Sequence, residues 1–169
     1  MKFIIIFIGL FISLISNGQT ESVVNAEDFK VNGVLGLSTN KTGLLKFIKK
    51  ADKVKKTIPD CSYEEEYSKG IIFYDYLKGG MTYLVYKNKA EFEELNLENN
   101  PLQYLLYKDF KITNRTTIAD LKKYFPKSVN NYLKDKIVIR LKFGKQLDDE
   151  LQIELKNKKV TRVSYWTPC

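Results

Sequence analysis

The sequence predicts an α+β fold of two β-α-β-β-β repeats that form one antiparallel sheet with helices packed on one face. A motif, Thr39-Asn40-Lys41-Thr42, recurs 74 positions later as Thr113-Asn114-Arg115-Thr116, and an apolar pattern of helical period follows each copy. Three strand-like runs follow each helical pattern. These observations indicate a tandem repeat, with repeat one at about 29–98 and repeat two at about 102–169.

Each helix is predicted from apolar residues spaced three and four positions apart. They are Leu44, Phe47 and Ala51 in the first repeat and Ile118, Leu121 and Phe125 in the second. We expect the first helix over about residues 42–57, stopping before Pro59. The second begins at the capping-box pattern Thr117-x-x-Asp120, and Pro126 ends it at once.

The strands are predicted from alternating apolar and polar residues. The runs are 71–77, 81–87 and about 92–97 in repeat one, and 137–143, 150–156 and 160–166 in repeat two. Each repeat also begins with a strand-like run, at 29–37 and 105–112. Alternation with one apolar face is typical of an antiparallel sheet that is wet on one side. Because one repeat of about 75 residues is marginal alone, we expect one continuous sheet and one core.

The first eighteen residues have the order of a secretory signal peptide. Lys2 supplies the positive charge, residues 3–15 form an apolar run, and Ser16-Asn17-Gly18 offers small residues for cleavage. The apolar run is shorter than the roughly 20 residues that span a bilayer, so we expect no transmembrane span. The mature domain is then 19–169, exported to the periplasm or the medium, and non-lipidated because no Cys lies near the junction.

The cysteine and histidine counts restrict the chemistry. Cys61 and Cys169 are the only cysteines, and export favours a disulfide between them, with two free thiols as the alternative. The chain has no His, which excludes Ser-His-Asp and Cys-His catalytic sets and His-ligated metals. We therefore expect no cofactor, no metal site and no enzyme activity, although an enzyme that works through carboxylates alone stays an alternative.

The basic charge is carried almost wholly by lysine. The chain has 25 Lys and three Arg, with a formal net charge of +8. Five lysines follow the first helix opposite its apolar residues, and we interpret them as a solvated face: Lys46, Lys49, Lys50, Lys53 and Lys56. The few arginines and the signal peptide argue against nucleic acid as a partner, whereas peripheral contact with an anionic envelope surface stays open.

A tyrosine cluster is the candidate binding surface. We expect Tyr74, Tyr76 and Tyr86 to lie on a sheet face, with Lys78 and Lys87 at its rim. Tyrosine offers a large rigid apolar area with a polar tip, which suits protein interfaces. The alternative is that these tyrosines pair across strands and only stabilise the sheet.

Tandem units of one helix and a three-stranded meander in a secreted chain resemble the β-lactamase inhibitor protein family. They are also similar to the small envelope lipoproteins of the outer-membrane barrel-assembly machinery. The resemblance covers about residues 31–166 and rests on architecture and on helix starts at 37–42 and 112–117. It implies a binding or scaffold fold without chemistry of its own.

We therefore expect a secreted or periplasmic, non-enzymatic protein-binding module, inhibitor-like or immunity-like, that uses an open sheet face. Its partner would be another envelope or extracellular protein. The alternative is a structural or assembly component of the bacterial cell envelope.

Overall fold

The computed structural model of the chain describes residues 22–144 and 148–169. The predicted signal peptide at residues 1–18 lies outside these ranges. Among the helices that are described, none is long and apolar enough to cross a membrane.

The described residues form strands and helices in alternating groups. The strands are β1 (Ser22–Val24), β2 (Phe29–Val31), β3 (Leu35–Gly36), β4 (Ser38–Asn40), β5 (Lys53–Thr57), β6 (Phe73–Lys78), β7 (Met81–Tyr86), β8 (Lys89–Asn96), β9 (Leu105–Tyr107), β10 (Phe110–Ile112), β11 (Ile139–Phe143), β12 (Glu150–Lys156) and β13 (Lys159–Trp166). The helices are α1 (Lys41–Ile48), α2 (Glu64–Ser68), α3 (Ile118–Tyr124) and α4 (Pro126–Asp135). Two 3₁₀ turns cover Ala26–Asp28 and Cys61–Tyr63.

A large sheet in the order β1-β11-β12-β13-β8-β7-β6-β5 confirms the α+β class. Its pairs are antiparallel except for β1 with β11, which is parallel. The two meanders, β6-β7-β8 and β11-β12-β13, join where Glu94–Asn96 pairs with Arg162–Ser164. The first three residues of β8, Lys89–Glu91, pair on that edge with β4 instead. The repeats thus join edge to edge, and one edge of β8 is divided between two strands.

The beginning of each repeat differs from the prediction of one continuous sheet. The runs 29–37 and 105–112 each fold back as a hairpin, and β2 pairs with β9 to give a separate sheet in the order β10-β9-β2-β3. Asn32 and Lys108 take the left-handed φ values of 52° and 54° that these turns require. A single long strand in either place is therefore replaced by two short ones.

One core joins the two repeats. Leu95 of β8 lies opposite Val163 of β13, and both side chains are fully buried. Leu44 of α1 and Leu121 of α3 are buried in the same apolar cluster, as is Phe29 of the small sheet. Three helices, α1, α3 and α4, and the small sheet therefore contribute to the core on one face of the large sheet.

The first helix is shorter than predicted. It ends at Ile48 because Lys49 takes a φ of 56°, outside the helical region. Of the five lysines predicted to follow this helix, only Lys46 lies on it, because Lys49 and Lys50 come after its end and Lys53 and Lys56 belong to edge strand β5 (Lys53–Thr57). Pairing with β6 stabilises this strand, and a local pattern does not report such a distant partner.

The second helix begins as predicted and is followed by one that was not predicted. Thr117 and Asp120 form the capping box, with the Thr117 N–H donating to Asp120 Oδ2 at 3.1 Å. Pro126 ends α3, but it also begins α4 at the first helical position, where a missing N–H costs nothing. The recurring motif is used differently in its two copies, because Asn40 caps α1 whereas Asn114 lies in a turn before the Thr117 cap.

Candidate functional site

The predicted tyrosines do not share one face. Tyr74 pairs with Val85 of β7 and Tyr76 pairs with Tyr83, so these side chains share one face of the sheet. Tyr86 lies on the other face, is only 4% exposed, and stacks on Phe73 with ring centroids 4.8 Å apart. The cause is the strand register, which pairs Tyr86 with Phe73 and so turns it away from Tyr74. A platform of all three tyrosines is therefore not formed.

The two predicted rim lysines lie at opposite ends of the β6–β7 hairpin. Lys78 closes β6, and its Nζ is 2.7 Å from Asp52 Oδ1. This hydrogen bond, with another from the Gly79 N–H, lowers the pKa of Asp52. Lys87 is exposed in the turn that leads to β8, with a φ of 50°. Lys78 therefore lies at the end of the hairpin closer to Tyr76 and Lys87 at the end closer to Tyr74, so the two lysines do not form one rim.

Lysines concentrate where α1 leads into β5. We call this surface the basic corner: Lys41, Lys46, Lys49, Lys50, Lys53, Lys55 and Lys56, with Val54, Tyr74 and Tyr76. Residues 41–57 carry seven Lys and one acid, Asp52, which gives a net charge of +6 against +8 for the whole chain. Among the described residues, Asp52 pairs with Lys78, and no ion pair is formed by the seven lysines.

Apolar groups are exposed within this charge. Val54 lies directly opposite Tyr76, and Lys56 lies opposite Tyr74, so these four side chains share a face. Val54 is 49% exposed and Tyr74 37% exposed. Lys41 Nζ lies 6.0 Å from the centre of the Tyr76 ring, which connects the start of α1 to this face.

The outer edge of β5 is open. The large sheet ends at β5, and within the described ranges only β6 pairs with it. An open edge offers a row of backbone N–H and C=O groups to a further strand. Lys53, Lys55 and Lys56 on this edge oppose the addition of a second copy, because the two edges would carry like charges.

The opposite face of the sheet is partly covered by residues 58–72, which we call the covering segment. Phe73, Leu84 and Tyr86 form a second buried cluster, and Tyr63 and Ile71 of the covering segment pack on it. Cys61 of this segment is bonded to Cys169, as predicted, with the two Cα atoms 5.5 Å apart. The bridge thereby attaches the C-terminal residues to the covering segment.

Acidic side chains lie beside the covering segment. Glu91 accepts hydrogen bonds from the hydroxyls of Tyr63 and Tyr86, the latter at 3.1 Å. Glu93 lies at a bulge where the pairing of β7 and β8 shifts register. Burial, followed by the charges of Asp75, Asp60 and Glu94, raises the pKa of half-buried Glu93 to about 7.

Sequence reasoning missed both the open edge of β5 and the environment of Glu93. The cluster of seven lysines between residues 41 and 57 was a visible signal for the first. Nothing in the local pattern marks Glu93, because its environment depends on a bulge and on the distant covering segment.

Within residues 22–144 and 148–169, no three His, Cys, Asp or Glu side chains are placed to hold a metal ion. Comparison with protein-family models, curated proteins and solved structures found no match to this chain.

Proposed function

We propose that this chain is an exported, non-lipidated, non-enzymatic module that binds an acidic protein partner through the basic corner, in an inhibitor-like or immunity-like role. The observation that carries the proposal is the concentration of seven lysines in residues 41–57, without carboxylate partners among the described residues, beside exposed Tyr74 and Val54. Lys56 shares the face of Val54 and Tyr74, whereas Lys53 and Lys55 lie on the other face of the same edge strand. The Cys61–Cys169 bridge is compatible with the periplasmic or extracellular compartment that the signal peptide predicts.

Charge and apolar area have separate roles in this proposal. A patch of one sign steers an oppositely charged partner and raises the association rate, an effect that salt reduces. Tyr74 and Val54 then supply the contact area that a stable interface needs, and tyrosine is among the residues enriched at binding hot spots. Lysine stems can also bury their apolar length in an interface while their ammonium groups stay in water.

A partner protein is favoured over an anionic membrane surface for this corner. Membrane-surface binding typically uses an amphipathic helix with a broad apolar face. Here the exposed apolar groups, Val54 and Tyr74, are on strands beside an open sheet edge. An extended acidic segment of a partner would add to β5 as a further strand, and its carboxylates would meet Lys53 and Lys55.

Affinity capture from the native envelope tests this proposal. The full chain, tagged and expressed in its own organism, is compared with two corner variants, Val54→Ser/Tyr74→Ser and Lys53→Glu/Lys55→Glu. Controls of matched chemistry lie elsewhere: Leu102→Ser, at a side chain that is 89% exposed, and Lys122→Glu/Lys127→Glu on α3 and α4.

We expect an acidic protein to be recovered with the wild type and both controls, and to be lost with both corner variants. Elution by about 0.5 M salt would agree with a charged interface, because the Debye length is then well below 8 Å. Recovery of the same partner by the corner variants would contradict the proposal. If the chain binds protein-free anionic vesicles as strongly as it binds the envelope extract, the result would instead favour the alternative role as a structural or assembly component of the cell envelope.

A further inference from the structure

The divided edge of β8 opens into a cavity. On this edge of β8 the ladder with β4 ends at Glu91 and continues only as a hydrogen bond from the Phe92 N–H to the Leu37 carbonyl, at 2.7 Å, and the ladder with β13 begins at Glu94. A cavity of about 520 Å³ lies there, which is within the range of ordinary small-molecule sites. We call it the split-edge cavity, and Glu27, Leu37, Tyr63, Glu91, Phe92 and Tyr165 are among its lining residues.

The charge of this lining is opposite to that of the protein. Among the described residues that line the cavity, two are Glu and none is Lys or Arg, although the chain has 28 basic residues. The pKa values of Tyr63 and Tyr165 are raised well above that of an ordinary tyrosine, chiefly because both side chains are partly buried. Both phenols therefore stay neutral at physiological pH, and the negative charge of the lining comes from Glu27 and Glu91.

The two carboxylates are presented differently. Glu91 is held in place, because Tyr63 donates to one carboxylate oxygen and Tyr86 donates to the other. Glu27 lies in an exposed 3₁₀ turn at the rim, where its carboxylate is accessible to a ligand. The cavity thus has one preorganised anionic group within its wall and one accessible anionic group at its mouth.

The remaining walls favour a cation on an apolar stem. Tyr63 and Tyr165 are partly exposed and offer aromatic rings, whose faces attract ammonium and guanidinium groups. Leu37 and the ring edges offer apolar contact to the chain that carries such a group. We propose that the split-edge cavity binds a primary amine or guanidinium on an aliphatic stem, as in a lysine or arginine side chain or a polyamine. The basic corner plays no part in this site.

NMR titration of the full chain tests the proposal with three probes. Acetyl-lysine-methylamide represents a side chain of a protein, spermidine represents a free polyamine, and acetyl-norleucine-methylamide has a similar stem without the charge. We expect the lysine probe or spermidine to shift the amide signals of Leu37, Ser38 and Phe92, and the norleucine probe to bind more weakly. Tighter binding of acetyl-lysine-methylamide would indicate a side chain of a protein as the ligand, and tighter binding of spermidine would indicate a free polyamine.

A variant separates charge recognition from shape. Glu27→Gln removes the accessible charge, and we expect it to weaken binding of the charged probe about threefold to fivefold without changing the melting temperature. Glu64→Gln, at an exposed acid on α2, is the matched control and should leave binding unchanged. The inference is overturned if neither charged probe shifts these amides at millimolar concentration, if norleucine binds equally well, or if Glu27→Gln has no effect. The corner variants should bind the probes normally, so the two proposals can fail separately.

Discussion

Removing the charge of Glu93 should stabilise the protein in a pH-dependent manner. The pKa of Glu93 is about 7 in the folded chain against 4.5 for an ordinary glutamate, because burial and the charges of Asp75, Asp60 and Glu94 disfavour its ionised form. The folded state therefore holds the Glu93 proton more tightly than the unfolded state does. Glu93 contributes stability that is fully present below about pH 4.5 and is lost as the pH rises through about 7.

The size of the effect follows from the two pKa values. Each tenfold change in proton affinity is worth about 1.4 kcal/mol. Moving the pKa from 4.5 to about 7 thus corresponds to roughly 3 kcal/mol as an order of magnitude. Because glutamine resembles the neutral acid, Glu93→Gln should raise the free energy of unfolding by about 2–3 kcal/mol at pH 8 and change it little at pH 4.

Urea denaturation followed by circular dichroism at pH 4, 6 and 8 measures this difference. Glu64→Gln serves as the control, because Glu64 is exposed on α2 and its replacement should have a similar small effect at each pH. A gain for Glu93→Gln that is the same at pH 4 and pH 8 would refute the electrostatic origin. A loss of stability at pH 8 would mean that ionised Glu93 makes a favourable contact in the folded protein.

Breaking the Cys61–Cys169 bridge should lower the free energy of unfolding by about 4 kcal/mol, because it closes a loop with a sequence separation of 108; urea curves with and without reductant measure this, and equal midpoints would contradict it. Thr117→Ala should cost about 1 kcal/mol in chemical denaturation by removing the cap of α3, and no loss would mean that packing alone holds this turn. Leu95→Ala should cost about 2–5 kcal/mol at the junction of the meanders, and a loss below about 1 kcal/mol in the same assay would place little stability there. Gly80→Ala should lower the melting temperature, because Gly80 has a φ of +84° and an added Cβ would lie 2.7 Å from the Asn96 carbonyl oxygen. An unchanged melting temperature would show that the turn adapts.

The strands of the second repeat were predictable because their signals are local. The run 150–156 alternates cleanly, and the structure gives the same bounds for β12. The following turn uses Asn157 and Lys158 at φ values of 54° and 63°, which matches the turn expected between the last two strands. Alternation and turn chemistry together were sufficient to predict β12 and the turn that follows it.

The length of the first helix was not predictable from the same kind of signal. Residues 53–57 come a few positions after the helical apolar pattern of α1, so the prediction extends the helix through them. They form a strand because they pair with β6. The covering segment and the bulge at Glu93 depend in the same way on contacts between distant parts of the chain.

The position of Tyr86 was predictable in principle. Gly79-Gly80 is a two-residue turn, so Lys78 must pair with Met81, and each residue further from the turn pairs in step. Counting outward places Tyr76 opposite Tyr83 and Tyr86 opposite Phe73. Side chains opposite each other share a face, which already assigns Tyr86 to the face away from Tyr76.

The Cys61–Cys169 bridge changes what a protease can achieve against this chain. A single cut between residues 61 and 169 leaves two pieces that are still joined through sulfur, whereas a cut before residue 61 releases the pieces from each other. Most of the 28 Lys and Arg residues, which trypsin-like enzymes recognise, lie after residue 61. A molecule cut once after residue 61 keeps both pieces, and its mass rises only by the one water added in hydrolysis, until a reductant separates them. Its apparent integrity on a gel therefore depends on whether the sample was reduced.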